Sequence, residues 1–250
     1  MNKRVLFFVY GLAAYALFFA TYLYAIGFIG NLLVPVSIDG TPQVPLWEAL
    51  VVNAALLGIF AIQHSVMARP AFKRWWTRFV PKPIERSTYV LFSSALLVAL
   101  FAFWQPLGGV VWNVTDPIGQ AVLWGVFALG WGVVLVSTFL INHFDLFGLR
   151  QVWLYLTGKP YTALPFKTPF FYRYVRHPLY VGWFMAFWAT PTMTVTHLVF
   201  ALATTAYILV AIQLEERNLV EEHPEYSGYR RQVPMLVPRI GARQSTVSAA

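Results

Sequence analysis

The sequence predicts an all-α, polytopic membrane bundle of about six crossings, the last two forming a helical hairpin. Three observations predict it. Hydrophobic residues make up 58% of the 250-residue chain and charged residues only 11%, outside the usual composition of a soluble domain. Apolar runs that reach or exceed the ~20 residues of a bilayer crossing recur along it. All 18 Lys and Arg residues fall in alternate gaps between those runs, as expected when basic loops are retained on the cytoplasmic side.

The first run, Val5–Val34, follows Lys3 and Arg4. It is too long for the apolar region of a signal peptide and no polar domain follows it, so it stays as a span. The second, Leu46–Val66, leads into a loop carrying Arg69, Lys73, Arg74, Arg78, Lys82 and Arg86. Thr88–Trp112 and Ile118–Ile141 are the third and fourth, and the basic loop after them extends to Arg176. Gly125, Gly130 and Gly132 in the fourth suit close helix packing. The last run, Leu179–Leu214, would be about 54 Å long as one helix, nearly twice a ~30 Å hydrocarbon core. Pro191 divides it, because proline lacks an N–H and restricts the residue before it. A helix ending near Thr190 and another starting near Thr192 return the chain to the basic side. Both termini then lie in the cytoplasm, and the outer loops around Asp39 and Asp116 carry no Lys or Arg. Residues 1–243 read as one domain, with 244–250 a Ser/Thr/Ala-rich tail expected to be disordered.

Cysteine is absent, which excludes disulfides, thiolate metal ligands and a cysteine nucleophile. The net charge of +8 would raise nucleic-acid binding in a soluble protein. Here its distribution makes it a topology signal. The histidines and acids lack the spacings of metal motifs, and no glycine-rich dinucleotide fingerprint occurs. Polar residues concentrate in the loops at 67–87 and 143–178 and after Glu215, so chemistry is expected there.

Two segments stand at the mouth of the hairpin. Arg173 to Trp183 reads RYVRHPLYVGW, with Pro178 suited to a first helical position. On the return, Glu215-Glu216-Arg217-Asn218-Leu219 is followed by Tyr226, Tyr229, Val233-Pro234 and Pro238. Arg, Tyr and Trp at a span end also serve as interfacial anchors, and paired acids also mark a solvated helix end. Adjacent helical residues point ~100° apart, so Glu215 and Glu216 cannot face one ligand equally.

Together these segments resemble the signature of the isoprenylcysteine carboxyl methyltransferase family of integral membrane enzymes. Gln63-His64-Ser65 with Glu85-Arg86-Ser87, and Asn142-His143-Phe144-Asp145 through Gln151, are similar to its nurim-like branch. The resemblance implies S-adenosylmethionine bound from the cytosol by His177, Pro178, Tyr180, Gly182, Tyr226, Tyr229 and one of Glu215 and Glu216. Carboxyl-methylating members carry an arginine shortly before the paired acids, where this chain has Gln213-Leu214. The resemblance therefore implies a small thiol acceptor such as methanethiol rather than a prenylcysteine carboxylate. Its deprotonation is expected from His64, His143 or Asp145, with Gln63, Arg86, Asn142 and Gln151 at the acceptor site. Methylation of a prenylcysteine or a lipid amine, and a non-catalytic scaffold, are the alternatives. A transporter would show ionisable groups at mid-span and broken helices in both halves. A bacterial inner membrane is the expected location.

Overall fold

Long apolar runs in a bilayer must satisfy their backbone within each segment, which forces helices. The computed structural model describes residues 2–238. It places helices at α1 (Lys3–Gly30), α2 (Leu46–Ala68), α3 (Pro70–Trp76), α4 (Lys82–Phe103), α5 (Pro117–Ile141), α6 (His143–Leu146), α7 (Leu149–Leu156), α8 (Pro178–Trp188), α9 (Val195–Glu222) and α10 (Tyr226–Gln232). The ends carry side-chain caps. Asn2 accepts from the N–H of Arg4, Asp116 from Gly119 and Thr194 from His197, each satisfying a donor that the first turn leaves free. α1 stops at Gly30 rather than Val34, because Asn31 is left-handed (φ 55°) and its N–H returns to Gly27.

Among the described residues five helices, α1, α2, α4, α5 and α9, are long and apolar enough to cross a bilayer. The hairpin's outward arm is shorter than a full crossing. α8 has 11 residues, about 16 Å at 1.5 Å per residue. α4 also ends early, at Phe103 rather than Trp112. Gly108 and Gly109, both with positive φ, then turn the chain into strand β1 (Val110–Asn113). It pairs antiparallel with β2 (Thr192–Thr194), matching Val110 to Thr194 and Asn113 to Thr192. This small ribbon occupies the place where the sequence predicts only helix ends and Pro191. The N–H of Val114 reaches the Pro191 carbonyl, and buried His197 caps α8 by bonding the Phe187 carbonyl at 2.8 Å.

The ribbon fixes the topology. The turn between α8 and α9 lies with the α4–α5 connection, and the Thr194 hydroxyl donates to Asp39 of the α1–α2 loop. The α2–α4 and α5–α8 connections, α10 and the start of α1 gather at the opposite end, where the described Lys and Arg residues lie. There Arg86 donates to the Leu146 carbonyl, Arg69 to Leu214, and Phe7 stacks on Tyr155. Arg239, Arg243 and the 244–250 tail fall outside the described residues. Between the ends, Phe28, Leu100, Phe127, Trp131, Phe200 and Ile212 form the main core.

α8 runs back along α5 in close backbone contact. A Cβ on Gly130 would stand 2.6 Å from the Ala186 nitrogen, and one on Gly182 would stand 2.8 Å from the Gly130 carbonyl. Gly125 and Gly132 meet nothing within 4 Å, so of the three clustered glycines only Gly130 serves close packing.

Candidate active site

The hairpin entry is pinned to the C-terminal segment before any ligand is considered. The N–H groups of Arg176 and His177 bond the carbonyls of Pro234 and Met235. Glu216, two turns inside the end of α9 and only 2% exposed, takes every nearby donor. Its Oε1 accepts from Arg176 Nε at 2.7 Å, His177 Nε2 at 3.0 Å and the Tyr226 hydroxyl at 3.2 Å. Its Oε2 stands 3.1 Å from Arg230 Nε. A buried carboxylate is tolerated when it is paired and its lone pairs are filled, and this one ties α8, α9 and α10 together.

Glu215 points elsewhere, as the ~100° step between helix neighbours requires. Its carboxylate accepts from the Tyr180 hydroxyl at 2.9 Å, stands 4.0 Å from His177 Nδ1, and its side chain remains 45% exposed. Of the two acids, Glu215 alone keeps acceptor capacity for a ligand.

A second polar cluster stands beside it. His64 stacks on Phe60 one turn below (centroids 5.2 Å apart). The Tyr89 hydroxyl stands 3.0 Å from both ring nitrogens, and Ser93 Oγ stands 3.3 Å from Nδ1. Ser93 donates to Gln63, and Ser65 shares a hydrogen bond with Tyr207 of α9 at 3.1 Å. Tyr207 stands about two turns before Glu215 on the same helix, and Glu215 holds Tyr180 of α8. Side chains from α2, α4, α8 and α9 therefore converge on one polar region within an apolar bundle.

Other predicted site residues lie apart. His143 is 2% exposed, with Tyr15 at 2.8 Å from Nε2 and Thr138 at 2.7 Å from Nδ1. It stacks on Phe139, and burial holds its pKa below the ordinary histidine value. Asp145 pairs with Arg150 at 2.8 Å rather than with His143, and its second oxygen accepts from Tyr161. Tyr226 and Tyr229 are buried edge to face against each other and Phe166, with the Tyr229 hydroxyl on the Tyr172 carbonyl. Pro178 is buried, and Gly182 faces α5. Gln63 stands with His64, whereas Arg86, Asn142 and Gln151 line a separate cavity at the basic end. Arg86 sits between the two, its guanidinium 4.9 Å from the Tyr89 ring centre.

The sequence motifs contain Tyr89 and Arg176 without giving either a role, and Ser93 and Tyr207 lie outside them. A signal existed for Tyr207, because a tyrosine inside an apolar span needs a partner for its hydroxyl. None existed for Ser93, which resembles any small residue of a span.

Residues 155–229, which hold the hairpin entry, both glutamates, Tyr226 and Tyr229, match the isoprenylcysteine carboxyl methyltransferase (ICMT) family. A methanethiol S-methyltransferase of Crocosphaera subtropica is 61% identical over 96% of this chain and 95% of its own length. One of Mycobacterium tuberculosis is 54% identical over 94% and 97%. Nurim of Bos taurus is 30% identical over 68% of each chain. No solved structure gives a significant match.

Proposed function

We propose that this chain, which belongs to the family of the methanethiol S-methyltransferases, methylates a small thiol, methanethiol to dimethyl sulfide, with S-adenosylmethionine as donor. The observation that carries the reading is the convergence of an open carboxylate, Glu215 with Tyr180, and a hydrogen-bonded histidine, His64 with Tyr89, on one polar region of the bundle.

The donor set suits the cofactor. S-adenosylmethionine is cationic at its sulfonium and ammonium, and Glu215 is a half-exposed carboxylate with Tyr180 and His177 beside it. An anion and aromatic rings are the groups that hold such a cation. Bound there, the cofactor would supply an electrophilic methyl group: a thiolate sulfur would form the new S–C bond as the methyl–sulfonium bond breaks, with S-adenosylhomocysteine as the neutral leaving group. The chain's own part is positioning and proton removal. His64 accepts the thiol proton, with Tyr89 and Ser93 orienting its ring. Glu216, Arg176 and Tyr226 hold the entry of α8 against α9, so that Tyr180 meets Glu215. A small neutral thiol enters an apolar bundle at little cost and needs ionising only beside the acceptor of its proton. This reading sets the basic end in the cytoplasm of a bacterial inner membrane, where the donor is available.

Headspace analysis of purified protein with methanethiol and labelled S-adenosylmethionine tests the proposal directly, with labelled dimethyl sulfide the expected product. His64→Asn should lower turnover well beyond any change in donor affinity, and alkaline pH should restore part of the rate by supplying thiolate. No dimethyl sulfide, with efficient methylation of a prenylcysteine or a lipid amine, would reject the thiol. No binding of the donor at all would return the chain to a scaffold.

A further inference from the structure

At the basic end, α3, the start of α4, the α5–α7 corner and residues 159–164 enclose a cavity of about 750 Å³. Its cations are Lys73, Arg74, Lys82, Arg86 and Lys159, against Glu85 and Asp145. Asp145 is already held by Arg150. Among the described residues no ion pair engages any of the five cations. Burial and then the nearby Arg86 push the Lys73 ammonium below the ordinary lysine range, and the weaker pull of Glu85 and Glu222 does not reverse it. Such a cavity repels a sulfonium or an ammonium ion, so it is unsuited to the cationic methyl donor and favours an anion.

Two further features narrow the anion. Trp75 and Phe79, beside the cavity on α3 and the turn after it, are 48% and 68% exposed. Exposed aromatic rings next to a span end mark the headgroup level of a bilayer. Gln151 lines the same cavity, and its Oε1 is buried without a hydrogen-bond partner in the structure. That oxygen accepts a hydrogen bond, so once the side chain turns it toward the cavity it matches a ligand hydroxyl rather than the anion itself.

We propose that this cavity binds a phosphate ester carrying a neighbouring hydroxyl, the chemistry of a glycerol phosphate. The source is a phosphatidylglycerol headgroup or a soluble glycerol phosphate. The phosphate meets Lys73, Lys82 and Lys159, and the glycerol hydroxyl donates to Gln151. The site is independent of methyl transfer and would make the stability of the protein depend on the surrounding lipid.

Native mass spectrometry of protein reconstituted with phosphatidylglycerol or phosphatidylcholine, then returned to detergent, tests it. Wild type should retain phosphatidylglycerol selectively. Combining Lys73→Gln, Lys82→Gln and Lys159→Gln should weaken retention about a hundredfold, at roughly tenfold or less per basic residue. Arg217→Gln with Arg231→Gln, at the same end but outside the cavity, should leave it intact. Equal retention of phosphatidylcholine, or equal loss in both variants, overturns the proposal. Protection against heating by glycerol 1-phosphate alone, lost in the triple variant, assigns the soluble source. Should the triple variant fail to fold, hydrogen exchange in wild type decides. Phosphatidylglycerol must slow exchange across residues 73–86 and 157–164 where phosphatidylcholine does not, and no slowing overturns the proposal.

Discussion

Neutralising Glu215 and neutralising Glu216 should have opposite consequences. Glu216→Gln leaves the buried Arg176, with the half-exposed Arg230, beside a neutral amide. Breaking a buried pair in this way costs about 3–5 kcal/mol, so the denaturation temperature in detergent should fall steeply. Glu215→Gln removes a half-exposed carboxylate bonded to Tyr180. The fold should persist, while S-adenosylmethionine affinity measured by calorimetry drops about 10- to 100-fold, the usual worth of a charged hydrogen bond. Reversal of this pattern would reassign the two acids. His143 gives a pH test. Its folded pKa lies below the ordinary 6.5 because of burial. The unfolded chain therefore binds more protons as pH falls below 6.5, and the stability tied to the neutral ring is lost toward the lowered folded value. Thermal unfolding between pH 8 and 5 should decline more steeply for wild type than for His143→Gln. Equal slopes would remove His143 as the origin.

At the scale of elements, the α5–α8 contact positions Tyr180. Gly182→Ala drives a methyl group to within 2.8 Å of the Gly130 carbonyl and the Val134 nitrogen, and such overpacking costs about 1–3 kcal/mol. We expect a lower denaturation temperature and weaker donor binding together, since α8 carries both residues. Gly132→Ala, with nothing within 4 Å, should stay within about 0.5 kcal/mol of wild type. A neutral Gly182→Ala would show that α8 has room to shift. The proline-divided run made the hairpin legible, but its internal arrangement was not. Three residues of β2 pair with a strand some eighty positions earlier, and no local periodicity announces such a partner. The outcome is an arm of α8 and strand rather than a full-length crossing helix.

For the whole molecule, orientation is directly testable because the chain has no cysteine. Single cysteines at Thr41 and Glu221, both exposed, lie at opposite ends of the bundle. A membrane-impermeant maleimide should label Thr41→Cys in intact cells and Glu221→Cys only after permeabilisation. Labelling of both from one side would undo the hairpin topology. What the sequence determined by itself was the membrane class, the position of each long apolar run, the basic end and the hairpin around Pro191. Desolvation of backbone and charge acts on each segment separately, so hydropathy and Lys/Arg placement suffice for these. Only the tertiary structure decided that Glu216 is a structural hub and Glu215 the open acid, and that His143 bonds Tyr15 across 128 residues. It likewise joined Ser65 to Tyr207 across 142 residues. Those outcomes depend on the rotation of each helix about its axis. In an all-round apolar span the hydrophobic pattern leaves that rotation free, until packing between neighbouring helices fixes it.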